Sequence, residues 1–386
     1  MKIIQIGSFP VNSKTIQGGV EASVYGLANV QARTEEVIVI DVPRTDLNED
    51  DIEKLGSIKV FRFFARSGSN YTSLFRIPKI ISIIRSLHAD ICHIHTTSLF
   101  SFVLYLFFKL YGIKTVVTIH GLANKEKQNA WRETKSIRNF LKYLSHSFTE
   151  FLFLSICSQF IVDTHYVAET IQQYKKGKKL LRCPICKVIP QGINDDFFQL
   201  KRTIQPGQLL SVGSISKRKG HLFLIEAMAK VVKDNPTVKL TILGALSDSD
   251  YYIQMQQSIK EKGLENYITI YPNIGYDAML NFYSQAELFV LHTEEESQGI
   301  VFCEAMAAGL PIVSTNVGGV PWVVIDTKNG LLSEFGNVDL FSEKIIELLG
   351  NAYLQKKIEV NDKKQSLKFN WKTISDEIKA VYDSAI

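Results

Sequence analysis

Leu288-Phe289-Val290-Leu291-His292-Thr293-Glu294-Glu295-Glu296-Ser297-Gln298-Gly299-Ile300-Val301-Phe302-Cys303-Glu304-Ala305-Met306-Ala307-Ala308-Gly309-Leu310-Pro311 is the stretch whose reading decides the fold. It opens on a short continuous apolar run, Leu288 to Leu291, of the kind found in a strand buried on both faces. It closes on an Ala-rich helix that stops at Gly309-Leu310-Pro311. Glu296 then stands at the carboxyl end of the strand. Gly299 and its neighbours Ser297, Gln298 and Ile300 open the helix, where unpaired N–H groups and the positive end of the macrodipole attract a phosphate. If most of the intervening residues are helical, Glu296 and Glu304 lie about 12 Å apart, at about 1.5 Å per residue. That span suits an extended sugar nucleotide, with one carboxylate at each end and the diphosphate between them.

Strand-like and helix-like runs alternate outward from this point. The first series has strands at 2–6, 37–40, 59–63, 91–95 and 115–119, with helices at 20–32, 77–87 and 99–110. The second has strands at 209–212, 239–243, 268–271 and 288–291, with helices at 222–232, 252–262 and 276–285. The βαβ alternation predicts an α/β chain built on parallel, doubly wound sheets. At 386 residues the chain exceeds what one core usually serves, so two domains of roughly 180 residues are expected. The turn-forming segment Pro190-Gln191-Gly192-Ile193-Asn194-Asp195-Asp196-Phe197 marks the join. The expected domains are 1–190 and 191–370, followed by a terminal helix over 371–386.

With 46% hydrophobic and 22% charged residues, the composition is that of a soluble globular chain. The longest apolar stretch, Leu99 to Leu110, is interrupted by Lys109 and falls short of the roughly 18 residues of a spanning helix. Met1-Lys2-Ile3-Ile4-Gln5-Ile6-Gly7 reads as a first strand, not a signal peptide, so a cytoplasmic location is expected. Five scattered cysteines argue against a disulfide framework, and Cys183-Pro184-Ile185-Cys186 has no second pair to complete a zinc site. The net charge of +5 is mild, and no nucleic-acid partner is expected. Lys125, Lys127, Arg132, Lys135, Arg138 and Lys142 nevertheless share one segment with Trp131, Phe140, Leu141, Tyr143, Leu144 and Phe148. This reads either as a peripheral contact with anionic lipid or as the solvated face of a packed helix.

Other residues add to the site. Gly18-Gly19 lies in the first strand-to-helix loop, where backbone amides can approach a phosphate. No G-x-G-x-x-G follows the first strand, which counts against a nicotinamide dehydrogenase. In Val212-Gly213-Ser214-Ile215-Ser216-Lys217-Arg218-Lys219-Gly220 a strand-end glycine precedes a basic cluster able to neutralise a diphosphate without a metal. His120 ends the run 115–119, and His95 ends a neighbouring strand on which His93 points the same way; no third ligand suggests a metal. Asp248-Ser249-Asp250 precedes a helix start and reads as an N-cap sooner than as a metal-nucleotide ligand. Tyr271-Pro272-Asn273 follows a further strand.

The segment from Glu296 through Gly318-Gly319-Val320-Pro321 resembles the donor-site signature of the retaining GT-B glycosyltransferases of family 4, the glycogen-synthase-like group. The likeness spans nearly the whole chain and is strongest over 211–332. It implies two Rossmann-like domains facing a cleft and a last helix, from Trp371, returning to the first domain. It assigns Glu296 to the donor sugar, Glu304 to the ribose, Lys219 to the diphosphate, and Gly18 and Gly19 to the loop against it. It places His120 near the transferred sugar, with His95 beside it towards the acceptor, and Tyr271 and Asn273 at the base. The family's arginine position is Ser214 here, with Arg218 nearby, and Gln191 stands for an asparagine of the interdomain motif. The implied activity is transfer of a hexose from a UDP- or GDP-sugar to a glycan or lipid-linked glycan in surface polysaccharide synthesis, with no cofactor and no metal. An impaired GT-B scaffold, a nucleotide-sugar epimerase and a phosphorylase stay open beside it.

Overall fold

The structure is a computed structural model that describes residues 1–11, 18–44, 47, 49–65, 72–121, 128, 131, 135–157, 159–178 and 185–385. Lys125, Lys127 and Arg132 of the basic segment lie outside these residues, as do Cys183 and Pro184. The chain divides into two compact units, Met1–Gln191 with Trp371–Ile386, and Gly192–Asn370.

The first unit is an eight-stranded sheet. Its strands are β1 (Lys2–Gly7), β2 (Glu36–Asp41), β3 (Asp51–Leu55), β4 (Ile58–Arg62), β5 (Ile91–Ile94), β6 (Thr115–Ile119), β7 (Gln159–Val162) and β8 (Ile185–Val188). They lie in the order β3-β4-β2-β1-β5-β6-β7-β8. All neighbours are parallel except β3, which pairs antiparallel with β4. The parallel expectation misses that edge because Asp51-Ile52-Glu53-Lys54-Leu55 is charged and largely exposed, and the hairpin depends on Gly56 at φ 61°. One sheet face packs Ile4, Ile6, Ile94 and Val117 against Ile80, Leu104, Phe108 and Phe153 of flanking helices. The other packs Ile3, Ile91, Val116 and Ile161 against Trp371, Ile374, Ile378 and Tyr382 of the last helix, Trp371–Ala385. Gly26 makes that docking possible: a Cβ there would lie 2.3 Å from the Trp371 indole.

The second unit is a wholly parallel six-stranded sheet of β9 (Gln208–Val212), β10 (Lys239–Gly244), β11 (Ile268–Pro272), β12 (Leu288–Leu291), β13 (Ile312–Thr315) and β14 (Leu331–Ser333). The order is β11-β10-β9-β12-β13-β14, and helices cover both faces. Every residue of β12 is buried, as its unbroken apolar run requires. The helix after it runs Ile300–Ala308 and ends on Gly309 at φ 73°. Residues 297–299 are not helical, so only the second half of the interval from Glu296 to Glu304 advances at the helical rise. The 12 Å estimate, which took most of the interval as helix, does not apply.

Candidate active site

Glu296 owes its position to two backbone loops that close on each other. After β9 the chain makes a 3₁₀ turn, Lys217–Lys219, that ends on Gly220 at φ 60°. A Cβ on Gly220 would sit 1.8 Å from the His292 carbonyl oxygen, so only glycine lets this turn lie on the end of β12. The Arg218 carbonyl accepts from Glu294 N at 2.9 Å and from Thr293 Oγ1 at 3.1 Å, and Arg218 Nη1 donates to the Glu295 carbonyl at 2.6 Å. From the other side Gly319 N donates to the Glu296 carbonyl at 2.7 Å, and a Cβ on Gly319 would meet Ser297 O at 1.8 Å. The Gly-Gly pair of the signature therefore serves the backbone on which Glu296 stands.

The carboxylate so placed is buried and saturated with donors. Lys219 Nζ donates to Oε1, Thr293 Oγ1 lies 3.2 Å from the same oxygen and shares its one proton between it and the Arg218 carbonyl, and Arg218 Nη1 stands 3.5 Å from Oε2. Burial works to raise its pKa. The Lys219 and Arg218 charges, with the bonds from Lys219 and Thr293, outweigh burial and leave it below the ordinary carboxylate value. The Lys219 side chain is itself buried and lies along Gly213, whose missing Cβ leaves room for its methylenes. Ser214 is half-buried with its Oγ 3.3 Å from Ser216 Oγ, and brings no charge.

Glu304 meets different surroundings. It lies in the helix Ile300–Ala308 and accepts from Tyr283 Oη at 2.9 Å, and among the described residues no cation is bonded to it. Burial pushes its pKa up to about 7, against the lowering effect of the Tyr283 bond. Two carboxylates eight residues apart are thus driven in opposite directions. Gln298 is buried and donates to Cys303 Sγ at 3.3 Å, while Ser297, Gly299 and Ile300 are half-buried at the helix start. Tyr271 is 41% exposed and packs on Phe282. Asn273 adopts φ 57° and braces its own loop, its Oδ1 accepting from Leu246 N at 3.0 Å. Asp248 caps the helix Ser249–Glu261 by accepting from Tyr251 N at 2.9 Å.

The first unit gathers a separate group. His120 Nε2 lies 3.2 Å from His95 Nδ1, and His95 Nε2 lies 2.6 Å from Gln5 Oε1. His95 is buried, with both ring nitrogens turned to protein groups, where the resemblance placed it towards the acceptor. Burial, with the charges of His93 and His120 assisting, drives the His95 pKa well below its usual value. Gly18 and Gly19 are exposed at the start of the helix Gly19–Gln31. Sequence reasoning missed Thr293, Tyr283, Asp163 and Gly220. Of these, Gly220 carried a signal in following the basic cluster directly and Thr293 in standing three residues before Glu296; Tyr283 meets Glu304, and Asp163 meets His120, by tertiary contact.

A family model for glycosyl transferases group 1 matches residues 193–365, and one for Glycosyltransferase Family 4 matches 17–197. Together they span nearly the whole chain, which belongs to the family 4, group 1 glycosyltransferases and is a transferase. An uncharacterized glycosyltransferase of Methanocaldococcus jannaschii is 26% identical over 333 residues, 86% of this chain and 84% of that protein. The capsular polysaccharide biosynthesis glycosyltransferase CapM of Staphylococcus aureus is 30% identical over 178 residues, 45% of each chain. Among solved structures, Anabaena Alr3699/HepE in complex with UDP-glucose superposes with a TM-score of 0.74 at 18% identity, covering both chains fully. The fold is GT-B, with two Rossmann-like parallel-sheet domains.

Proposed function

We propose that this glycosyltransferase moves a hexose-type sugar from a UDP- or GDP-sugar to a glycan or lipid-linked glycan, with retention of the anomeric configuration. The observation that carries the reading is the contrast within 296–304. Glu296 is ion-paired at the end of β12, Gly299 starts a helix, and Glu304 lies in that helix with the Tyr283 hydroxyl as its partner among the described residues. Glu304 suits ribose hydroxyls, Glu296 suits sugar hydroxyls, and the helix start suits the diphosphate. Breaking the anomeric C–O bond builds positive charge on the sugar and negative charge on the leaving diphosphate. Lys219, Arg218 and the helix start oppose the latter, and they are held in place before reaction. The leaving phosphate then takes the acceptor's proton, Glu296 orients the sugar without attacking it, and no metal is called for.

The acceptor side rests on the first unit. Among the described residues, no helix is long and apolar enough to cross a membrane. The helix Ile137–Ile156 exposes Ile137, Leu141, Leu144 and Phe148 at helical spacing beside exposed Arg138 and Lys142. Such a face suits peripheral attachment to an anionic surface that carries a lipid-linked acceptor, on the cytoplasmic side. The likeness to CapM supports a role in polysaccharide synthesis.

A second reading, a GT-B scaffold impaired in catalysis, is favoured by Ser214 and by the engagement of both nearby cations on Glu296. A panel of UDP- and GDP-sugars, followed by proton NMR, separates the two. One donor should be consumed with release of nucleoside diphosphate and a product of unchanged anomeric configuration. Nucleotide binding with no donor consumed would establish the scaffold, and an epimerised donor or dependence on free phosphate would replace transfer with epimerase or phosphorylase chemistry.

A further inference from the structure

The histidines of the first unit end on a carboxylate that no motif announced. Asp163 follows β7 and is 2% exposed. Its Oδ1 lies 3.3 Å from His120 Nδ1, a charge contact outside hydrogen-bond alignment, and its Oδ2 accepts from Gln191 Nε2. On the far side of the ring, His120 Nε2 faces His95 Nδ1, and His95 passes the chain on to Gln5. Gln5 Nε2 donates to Gln31 Oε1 at 2.6 Å and to Tyr382 Oη at 3.2 Å, anchoring the series on the last helix. The His95 bonds can run in either direction, because a neutral imidazole has one donor and one acceptor nitrogen and an amide can turn over. The Asp163 end cannot. A carboxylate only accepts, so the nitrogen facing it is the one that carries a proton.

We infer that Asp163 is a positioning residue for His120, holding the imidazole with its N–H at Nδ1, and that Gln191 in turn orients the Asp163 carboxylate. The ring thereby meets the Asp163 charge at Nδ1 and His95 at Nε2, at the carboxyl end of β6. Its catalytic consequence rests on the reading of His120 as a residue that meets the transferred sugar; the grip itself does not.

The test uses the full chain labelled with nitrogen-15 histidine, without donor, as wild type, Asp163→Asn and Gln191→Ala. In the wild type the His120 Nδ1 signal should be that of a protonated nitrogen. In Asp163→Asn, whose amide can present either group to the ring, the signal should move towards the Nε2–H tautomer, with a smaller displacement in Gln191→Ala. If His120 meets the sugar, Asp163→Asn should also lower kcat by about 10-fold or more while donor KM stays within about twofold. An unprotonated Nδ1 in the wild type, or a His120 signal indifferent to Asp163→Asn in a protein that melts normally, overturns the inference. Full activity in His120→Ala, with the tautomer still responding to Asp163→Asn, removes His120 from the reaction and leaves Asp163 its hold on the ring.

Discussion

Lys219 Nζ donates to Glu296 Oε1 from a buried position, so the cation expected at the diphosphate is bonded to the carboxylate expected at the sugar. Arg218 adds a second cation 3.5 Å from Oε2, and the trio carries one net positive charge. Two roles read separately from the sequence are thus one electrostatic unit. The carboxylate holds the cations in place, and the surplus charge is what a diphosphate meets.

Removing the carboxylate therefore strands a buried ammonium. Breaking a buried pair from one side costs about 3 kcal/mol or more. At roughly 2–4 °C per kcal/mol for a domain of this size, Glu296→Ala should lower the melting midpoint by about 6 °C or more. Glu296→Gln keeps an acceptor beside Lys219 and should lose about half as much. Calorimetry of both variants checks this, and an Ala variant that melts with the wild type would show the pair contributes nothing.

Glu304 sets a pH dependence with two opposite signs. Its folded pKa of about 7 is above the 4.5 of an ordinary glutamate, so its stability contribution is full below about 4.5 and lost as pH rises through about 7. Ribose hydroxyls need an acceptor, which the ionised form supplies better. Affinity for a sugar nucleotide, whose diphosphate is esterified at both ends, should therefore rise between pH 6 and 8. Titrations of wild type and Glu304→Gln decide it: the variant should be weaker and flat across that range, and a variant that keeps the wild-type slope would place the titrating group elsewhere.

Activity should survive chelation, because Lys219, Arg218 and a helix start already oppose the diphosphate charge and Asp248 is occupied as a helix cap. Turnover lost in EDTA and restored by manganese would contradict this and make Asp248 and Asp250 candidates for ligands.

The exposed face of the helix Ile137–Ile156 should bind vesicles containing anionic lipid, reversibly and with salt sensitivity. Each exposed cation near such a surface contributes about 1 kcal/mol, so replacing Lys135, Arg138 and Lys142 by glutamine should weaken sedimentation with vesicles about 100-fold. Binding indifferent to anionic lipid, or to those substitutions, would leave an ordinary solvated helix and a soluble acceptor.

The buried parallel strands were legible because burial on both faces writes itself as an unbroken apolar run, as in Leu288–Leu291 and in residues 37–40. The Ala-rich helix and its glycine stop were legible for local reasons too. The charged edge strand Asp51–Leu55 was not, since its pairing depends on a turn and a partner and not on a hydrophobic pattern. The same limit applies to the site. Glu296 and Glu304 announced themselves by spacing and Lys219 by its basic cluster and family resemblance, but the Lys219–Glu296 pair joins residues 77 apart, and Asp163 meets His120 from the neighbouring strand. Such partners exist only once the sheet has formed.

The division of labour between the two glutamates is the centre of this account, and calorimetric titration with free nucleoside diphosphate tests it most directly. A ribose contact is shared by the donor and the free nucleotide, so Glu304→Ala should weaken the nucleotide by about 10-fold or more, at about 1.5–3 kcal/mol for a hydrogen bond to a charged group. Glu296→Gln, whose partner is the sugar, should bind it within about threefold of wild type while losing most of its transfer rate. Equal losses of nucleotide affinity in the two variants would contradict the assignment of Glu304 to the ribose and Glu296 to the sugar.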